Sequence, residues 1–249
     1  TPTLNPMPRL LRTPADLNAA DWRTLYDGFS APISEVDCGR KCAPHNPNGQ
    51  PFCCDICHAV PAAYNSEWDF LRQITDLWHP YRPEECASPP ETEAGRAVTE
   101  LNLPSGMVPL ACLGATRCQR PNRLLSCRAF PFFPYITSDY RFLGLSIEWE
   151  FAAVCWVISN LGLVSPIYRQ QFLRTFDYLL ATFDDVFESY AAHSERLRAH
   201  FAAQKRRFPL LHRNGGAYLV SPRSERLHPV APENLPRYGF YQHPGSIHR

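Results

Sequence analysis

The sequence lacks the features that would place this protein on a membrane or on a nucleic acid. No run of about 18 consecutive apolar residues occurs, so no segment is predicted to span a bilayer. The formal net charge of +1 at pH 7 provides no global field that would attract nucleic acid. Residues 1–12 lack the basic start and apolar run of a secretory signal. We therefore expect a cytoplasmic protein with no membrane partner and no indicated nucleic-acid partner.

The motifs of several enzyme classes are also missing. The sequence contains no phosphate-binding loop, no Rossmann glycine fingerprint, no nucleophile elbow and no His-Glu-x-x-His zinc motif. Its composition is not that of a disulfide scaffold, because ten cysteines in 249 residues make about 4%, whereas such scaffolds carry roughly 8–10%. A chain of this length does not need disulfides to be stable. We therefore favour a reducing compartment with metal-bound thiolates.

Proline is the residue in excess, and it shapes the predicted fold. The 25 prolines are about twice the usual share and predict long irregular loops. We expect a mainly α fold with irregular Cys-rich loops and a small β-hairpin, forming a single metal-centred domain over residues 1–207. Residues 208–249 are predicted to form a tail rich in Pro, His and Arg. Apolar spacing and turn residues predict helices over 13–29, 64–78, 149–161 and 165–207, the last of them with a break, and a hairpin over 128–136 and 140–147.

Eight of the ten cysteines are predicted metal ligands. They come from two groups with ligand-like spacing and from one isolated position on an apolar segment, where a core thiol is the alternative interpretation. Their number equals two sets of four, and four thiolates bind either zinc or an iron–sulfur cluster. The predicted ligands are Cys38, Cys42, Cys53, Cys54, Cys112, Cys118, Cys127 and Cys155.

The sequence does not choose decisively between zinc and iron. Four thiolates leave a net charge of about −2 around either Zn²⁺ or a doubly positive four-iron core. Several arginines interleave the cysteines and could supply hydrogen bonds and positive charge in either case. The aromatic and proline residues at 130–134 would keep water away, which favours iron–sulfur. We therefore expect an iron–sulfur cluster with four irons and four sulfides (4Fe–4S) as the cofactor, with zinc as the alternative.

Three residues near these groups are assigned separately. Arg128 directly follows Cys127 and is predicted to contact the cofactor site by donating to a sulfur or by anchoring a carboxylate. Cys86 lies in a polar, proline-rich stretch without a cysteine nearby and is predicted not to be a ligand. Cys57 is also excluded, although its spacing from Cys54 would let it replace Cys42.

These motifs resemble the YkgJ-type cysteine-cluster family, whose members are described as zinc- or iron-chelating. The matching residues lie within 34–136 and are Cys53-Cys54, Cys118 and Cys127-Arg128-Ala129-Phe130-Pro131. The sequence departs from the family pattern in two places. A ten-residue insert, 43–52, precedes the double cysteine, and Arg123-Leu124 stands where an Arg-Pro pair is usual. The resemblance implies metal binding and supplies no reaction.

Three functions are compatible with a cysteine-bound metal. The first is an iron–sulfur protein, which includes an enzyme for redox or sulfur chemistry at an open iron site. The second is a structural-zinc module that binds a partner, and the third is a metal carrier. An enzyme is expected to have an accessible pocket, whereas a structural zinc site is closed by four ligands. We prefer the first function, with an unidentified small molecule or protein as the partner.

Overall fold

The computed structural model describes residues 13–86 and 106–242, and its strands form two antiparallel sheets. Residues 1–12, considered above for a secretory signal, and the last seven residues of the predicted tail lie outside the described ranges. The strands are β1 (Ala62–Tyr64), β2 (Trp78–Pro80), β3 (Met107–Cys112), β4 (Phe132–Ile136), β5 (Phe142–Ile147), β6 (Phe208–His212), β7 (Ala217–Val220) and β8 (Leu227–Pro229). The smaller sheet has the order β1-β3-β2, and the larger sheet has the order β4-β5-β6-β7-β8.

Six α-helices, joined by short 3-10 turns, occur in the described part of the chain. The helices are α1 (Ala19–Gly28), α2 (Cys38–Cys42), α3 (Asn65–Leu71), α4 (Leu125–Ala129), α5 (Pro166–Thr182) and α6 (Asp184–Ala203). The predicted long helix is therefore broken at Phe183, whose extended backbone separates α5 from α6. No helix in the described ranges is both long and apolar enough to cross a bilayer.

A capping box fixes where α1 begins. The side-chain oxygen of Asn18 accepts hydrogen bonds from the backbone N–H groups of Ala20 and Asp21, at 2.8 and 3.1 Å. The Asp21 carboxylate accepts in return from the N–H of Asn18 at 3.0 Å. This reciprocal pair satisfies N–H groups that a helix start otherwise leaves unpaired. The predicted start at Thr13 instead forms a separate 3-10 turn, Pro14–Asp16.

The two long helices cover the larger sheet. Helix α6 packs against β4, α5 packs against β5, and the helices contact each other. The layer between these helices and the sheet is rich in fully buried aromatic side chains. Burial of each one stabilises the fold by about 1.5–3 kcal/mol. These side chains include Phe132, Phe133, Phe172, Phe176 and Phe208.

Part of the predicted tail belongs to this sheet. Residues 208–229 supply β6, β7 and β8, and β6 pairs with β5 so that Gly144 lies opposite His212. Gly144 has a φ of +150°, and a Cβ at this position would overlap the carbonyl oxygen of Leu211. A glycine is therefore needed where the two strands approach most closely. The segment looked like a tail because its strands are short and rich in Pro and His.

The prediction of a mainly α, single metal-centred domain with a small hairpin is wrong. The hairpin between β4 and β5 forms, but it is part of a five-stranded sheet, and a three-stranded sheet is also present. Within 13–86 and 106–242, no group of three or more His, Cys, Asp or Glu side chains is arranged to hold a metal ion. Strands β1, β2 and β8 have three residues each, which is too short for an alternating pattern to show in the sequence.

The helix predicted over 149–161 is also absent. This segment forms a 3-10 turn at Trp149–Phe151 and then a series of turns. The carbonyl oxygens of Ala153 and Val154 accept hydrogen bonds from the Phe240 N–H and the Tyr241 hydroxyl. The C-terminal part of the chain therefore takes up backbone groups that a continuous helix would have paired internally.

Candidate metal centre

All eight cysteines predicted as ligands line one cavity of about 1040 Å³. They reach it from α2, from the turn at Phe52–Cys54, from the end of β3, from the loop after β3, from α4 and from the turns after Trp149. All eight carry free thiols. The fold thus brings together side chains that are distant in sequence.

Helix α2 presents two of these thiols on one face. Cys38 and Cys42 are four residues apart, and residues at that spacing are neighbours on a helix surface. The Asp37 side chain caps the helix by accepting from the N–H of Gly39 at 3.1 Å. Cys42 is buried and Cys38 is half-buried. Burial is the main cause that raises the pKa of both thiols, and each also lies near another cysteine.

A hydrogen-bond network around Asp55 shapes the chain next to the double cysteine. One oxygen of Asp55 accepts from the side chains of Asn46 and Asn48 at 3.1 and 2.7 Å and contacts the His58 ring at 2.8 Å. The other oxygen accepts from the N–H of Cys57 at 3.0 Å. Burial alone would raise the pKa of Asp55, but these hydrogen bonds lower it overall. The insert before the double cysteine is thus folded back onto the carboxylate that follows it.

Cys53 and Cys54 form a coupled pair. The interaction between these two adjacent thiols raises the pKa of Cys53 and lowers that of Cys54 to about 7. Because Cys53 is exposed, its raised pKa comes from Cys54 more than from burial. Cys54 is therefore the cysteine of the pair that ionises first.

Cys54 lies in one neighbourhood with the second cysteine group. Burial raises the pKa of Cys127 strongly, and the nearby sulfurs of Cys112, Cys54 and Cys118 raise it further. The pKa of Cys112 is raised mainly by burial and then by Cys54 and Cys118. Each of these four cysteines, once ionised, therefore makes ionisation of the others less favourable. A bound cation would relieve this repulsion by taking the place of the thiol protons.

Cys155 lies in a second neighbourhood with the first cysteine group. Burial raises the pKa of Cys155 to about 12, and the sulfurs of Cys38 and Cys42 add to this effect. Cys155 and Cys38 in turn raise the pKa of Cys53. Cys42 lies near Cys54, so the two neighbourhoods meet at the adjacent residues Cys53 and Cys54.

Arg123 is the arginine that donates to a sulfur. Its Nε lies 3.1 Å from the Sγ of Cys118. The pKa of Arg123 is raised overall because this hydrogen bond and the nearby thiols outweigh the effect of burial, which alone would lower it. The sequence placed Arg123 among several arginines between the cysteines, and nothing in the pattern distinguished it.

Arg128 lines the same cavity but donates its hydrogen bonds to backbone carbonyls. Nη1 donates to Tyr26 and Phe29 at 2.9 and 2.5 Å, and Nη2 donates to Pro121 at 2.6 Å. Nε donates to the carbonyl of Arg123 at 2.9 Å. The guanidinium also lies 4.0 Å from the ring centroid of Tyr26. Arg128 thus joins α1 to the loop and helix that carry the second cysteine group.

Cys57 and Cys86 are joined by a disulfide bond, with their Cα atoms 5.5 Å apart. The expectation that Cys86 has no cysteine partner nearby is therefore wrong. The pairing spans a sequence separation of 29, so spacing alone did not reveal it. Neither residue lines the cavity. Their exclusion from the predicted ligands agrees with this state, because a disulfide sulfur is not a thiolate.

A C-terminal strap, residues 235–242, packs over the segment that carries Cys155. The ring of Phe240 stacks on His45 with centroids 4.6 Å apart, and its N–H donates to the carbonyl of Ala153. Gly239 has a φ of +49°, and a Cβ here would overlap that same carbonyl oxygen. The strap therefore depends on a glycine at this one position.

Residues outside the predicted ligand set also line the cavity. Glu148 and Trp149 follow β5, while His193 and Arg196 lie one turn apart on α6. In the sequence, the acidic residues on either side of Trp149 fit acid–base chemistry beside a cluster, but they are more typical of a helix start, and no pattern marks His193 or Arg196.

The donor set fits a soft metal, because thiolates are the ligands of zinc and of iron–sulfur clusters. No protein-family model, curated protein or solved structure matches this chain.

Proposed function

We propose that the protein binds an iron–sulfur cofactor through the thiols of the cavity. The observation that carries this proposal is the meeting of eight free cysteines, distant in sequence, at one cavity. Isolated core cysteines, which are common in folded proteins, have no reason to collect in this way. The resemblance to YkgJ-type proteins implies the same chemistry and remains an interpretation of the motifs.

The number of free thiols favours a cluster over a single zinc ion. A zinc ion needs four donors at one point, with Zn–S distances of about 2.3 Å. In the described ranges, no three potential ligands converge in that way. A cluster holds its thiolates farther apart, because its own iron and sulfide atoms lie between them. Eight free thiols at one cavity are enough for two four-iron clusters, and this is the number we propose.

The cavity supports an enzyme more than a closed structural module. A structural metal site is fully enclosed by its ligands, whereas this cavity extends past the cysteines to Trp149, His193 and Arg196. Eight free thiols suit a reducing compartment, where the cofactor would be stable, whereas the Cys57–Cys86 disulfide departs from that expectation. We therefore include redox or sulfur chemistry on a small molecule in the proposal.

Anaerobic purification provides the direct test. We expect a brown protein that contains about eight iron atoms and about eight acid-labile sulfides per chain, if both neighbourhoods hold a four-iron cluster. A colourless protein with stoichiometric zinc would refute the proposal in favour of the structural-zinc alternative.

Two single variants separate the neighbourhoods. Cys127→Ser and Cys155→Ser should each lose about half of the iron, because each removes one ligand from a different set of four. Both should also melt at a lower temperature, since metal binding is coupled to folding. Full iron content and an unchanged melting temperature in either variant would show that the cysteine is not a ligand.

A further inference from the structure

A hydrogen-bonded chain of three charged or titratable side chains lines the cavity that the thiols share. Glu148 follows β5, and His193 and Arg196 project from consecutive turns of α6. His193 Nε2 lies 3.0 Å from Oε2 of Glu148, and Nη2 of Arg196 lies 3.0 Å from Nδ1 of His193. Carboxylate, imidazole and guanidinium are thus connected in a row.

The contact with Arg196 fixes the tautomer of His193. A guanidinium can only donate hydrogen bonds, so Nδ1 of His193 must accept with its lone pair. The ring proton is therefore on Nε2, from which it is donated to Glu148. In this arrangement His193 is neutral, and its basic nitrogen is held by a side chain that is itself exposed and free to turn away.

Aromatic neighbours hold the imidazole in place. The ring centroid of His193 lies 4.3 Å from that of Phe133, which meets it edge-on, and 4.8 Å from that of Trp149. The side chains of His193 and Glu148 are 21% and 27% exposed. The pair is therefore fixed in orientation but still accessible at the cavity wall, which is the geometry that acid–base groups need.

We propose that this part of the cavity binds a small molecule with a carboxylate or phosphate group, with Arg196 as the anion-binding residue and His193 as the acid–base residue. The planar guanidinium pairs with two oxygens of such a group. The inference rests on the proposed function only in placing the bound molecule in the same cavity as the iron–sulfur cofactor.

Binding of the anion makes the base available. When Arg196 turns from His193 to the oxyanion, the lone pair of Nδ1 is released. An acidic O–H, N–H or C–H bond of the bound molecule can then break, with the proton passing to Nδ1 and the electron pair remaining on the molecule. The resulting imidazolium is stabilised by the Glu148 carboxylate at its other nitrogen. A purely structural ion bridge is the alternative, and it predicts no affinity for oxyanions.

Calorimetric titration of the anaerobically purified protein with inorganic phosphate and with acetate, at constant ionic strength, tests the proposal. We expect saturable binding of at least one probe, weakened at least about tenfold in Arg196→Met, because a charge-assisted hydrogen bond is lost. Arg174→Met, which removes an exposed arginine of α5 away from the cavity, should bind as the wild type does. The absence of saturable binding, or equal affinity in Arg196→Met, would overturn the proposal.

Iron analysis of the same samples keeps this outcome separate from that of the proposed function. Arg196→Met should retain its iron, so a loss of oxyanion binding with normal iron content concerns the anion site alone. If the wild-type protein contains no iron but still binds the probe through Arg196, the anion-binding proposal is supported. The iron–sulfur proposal is then refuted.

Acylation of histidines by diethyl pyrocarbonate gives a second measurement. The reagent needs a free ring lone pair, so His193 should react several-fold faster in Arg196→Met than in the wild type, with His228 as the internal reference. Equal rates at His193, mapped by peptide mass spectrometry, would show that Arg196 does not hold Nδ1 and would overturn the release step.

Discussion

Replacing Glu67 by glutamine tests how the helices around the candidate metal centre are held together. Glu67 lies on α3 and is only 1% exposed. Its Oε1 accepts from the Tyr26 hydroxyl at 2.6 Å and from the N–H of Leu125 at 2.7 Å. Leu125 is the first residue of α4, the helix that carries Cys127. One buried oxygen therefore connects α1, α3 and the start of α4.

The pH dependence of this contact follows from burial. Burial raises the pKa of Glu67 from 4.5 to about 7, although the hydrogen bonds from Tyr26 and Leu125 oppose the change. Because the folded-state pKa is the higher one, folding takes up a proton between these two values. The contribution of Glu67 to stability is therefore complete below pH 4.5 and is lost as the pH rises through about 7. At about 1.4 kcal/mol per pKa unit, the loss is about 3 kcal/mol.

Urea unfolding at several pH values measures this loss. Glu67→Gln keeps an oxygen that can accept both hydrogen bonds, but it cannot ionise. We expect the free energy of unfolding of the wild type, relative to that of the variant, to fall by about 3 kcal/mol between about pH 4.5 and pH 8. Titrations common to both proteins, including those of the cysteines, cancel in this difference. Parallel pH profiles would refute the reasoning, and Glu195→Gln on the exposed face of α6 should give such parallel profiles.

Three further outcomes are expected from the geometry. If the cavity holds the proposed cofactor, Arg123→Met should lose iron to a chelator faster than the wild type, because a hydrogen bond to the sulfur of Cys118, a proposed ligand, is removed, and an unchanged loss rate would contradict that role. Gly239→Ala should lower the free energy of unfolding by about 1–3 kcal/mol in denaturant titrations, whereas Gly28→Ala, which meets no neighbouring atom, should not. Alanine at both Cys57 and Cys86 should leave metal content unchanged but cost about 3–4 kcal/mol of stability by loss of a loop constraint, and a loss of metal would reassign the ligands.

The sequence singles out the eight cysteines that line the cavity, because the chemistry of a thiolate site depends on residue type, and their binding of a metal stays a prediction. Groups such as Cys38 and Cys42, or the adjacent Cys53 and Cys54, are visible without any knowledge of the fold. The hairpin of β4 and β5 was also predictable, because turn residues separate two apolar segments. These features depend on residues that are close together in the sequence, so the residue pattern alone predicts them.

The features that were missed depend on tertiary contacts. Arg123 and Arg128 are equivalent as residue types, and only the fold decides that one donates to a sulfur and the other to carbonyls. In the same way, Cys86 finds its partner across a separation of 29 positions. The helix predicted around Cys155 fails because the strap binds its carbonyls, which no local pattern records.

The mistaken fold class has a physical consequence for the site. A centre held only by loops would owe its shape to the metal, as in small metal-dependent domains. Here one continuous hydrophobic core joins the larger sheet to the helices around the cavity, and Glu67 and Arg128 connect those helices through buried hydrogen bonds. The cavity can therefore keep its walls while ligands are exchanged at its centre. Under the proposed function, such a cavity would let a small molecule bind beside the cofactor, and a metal carrier would have no need of it.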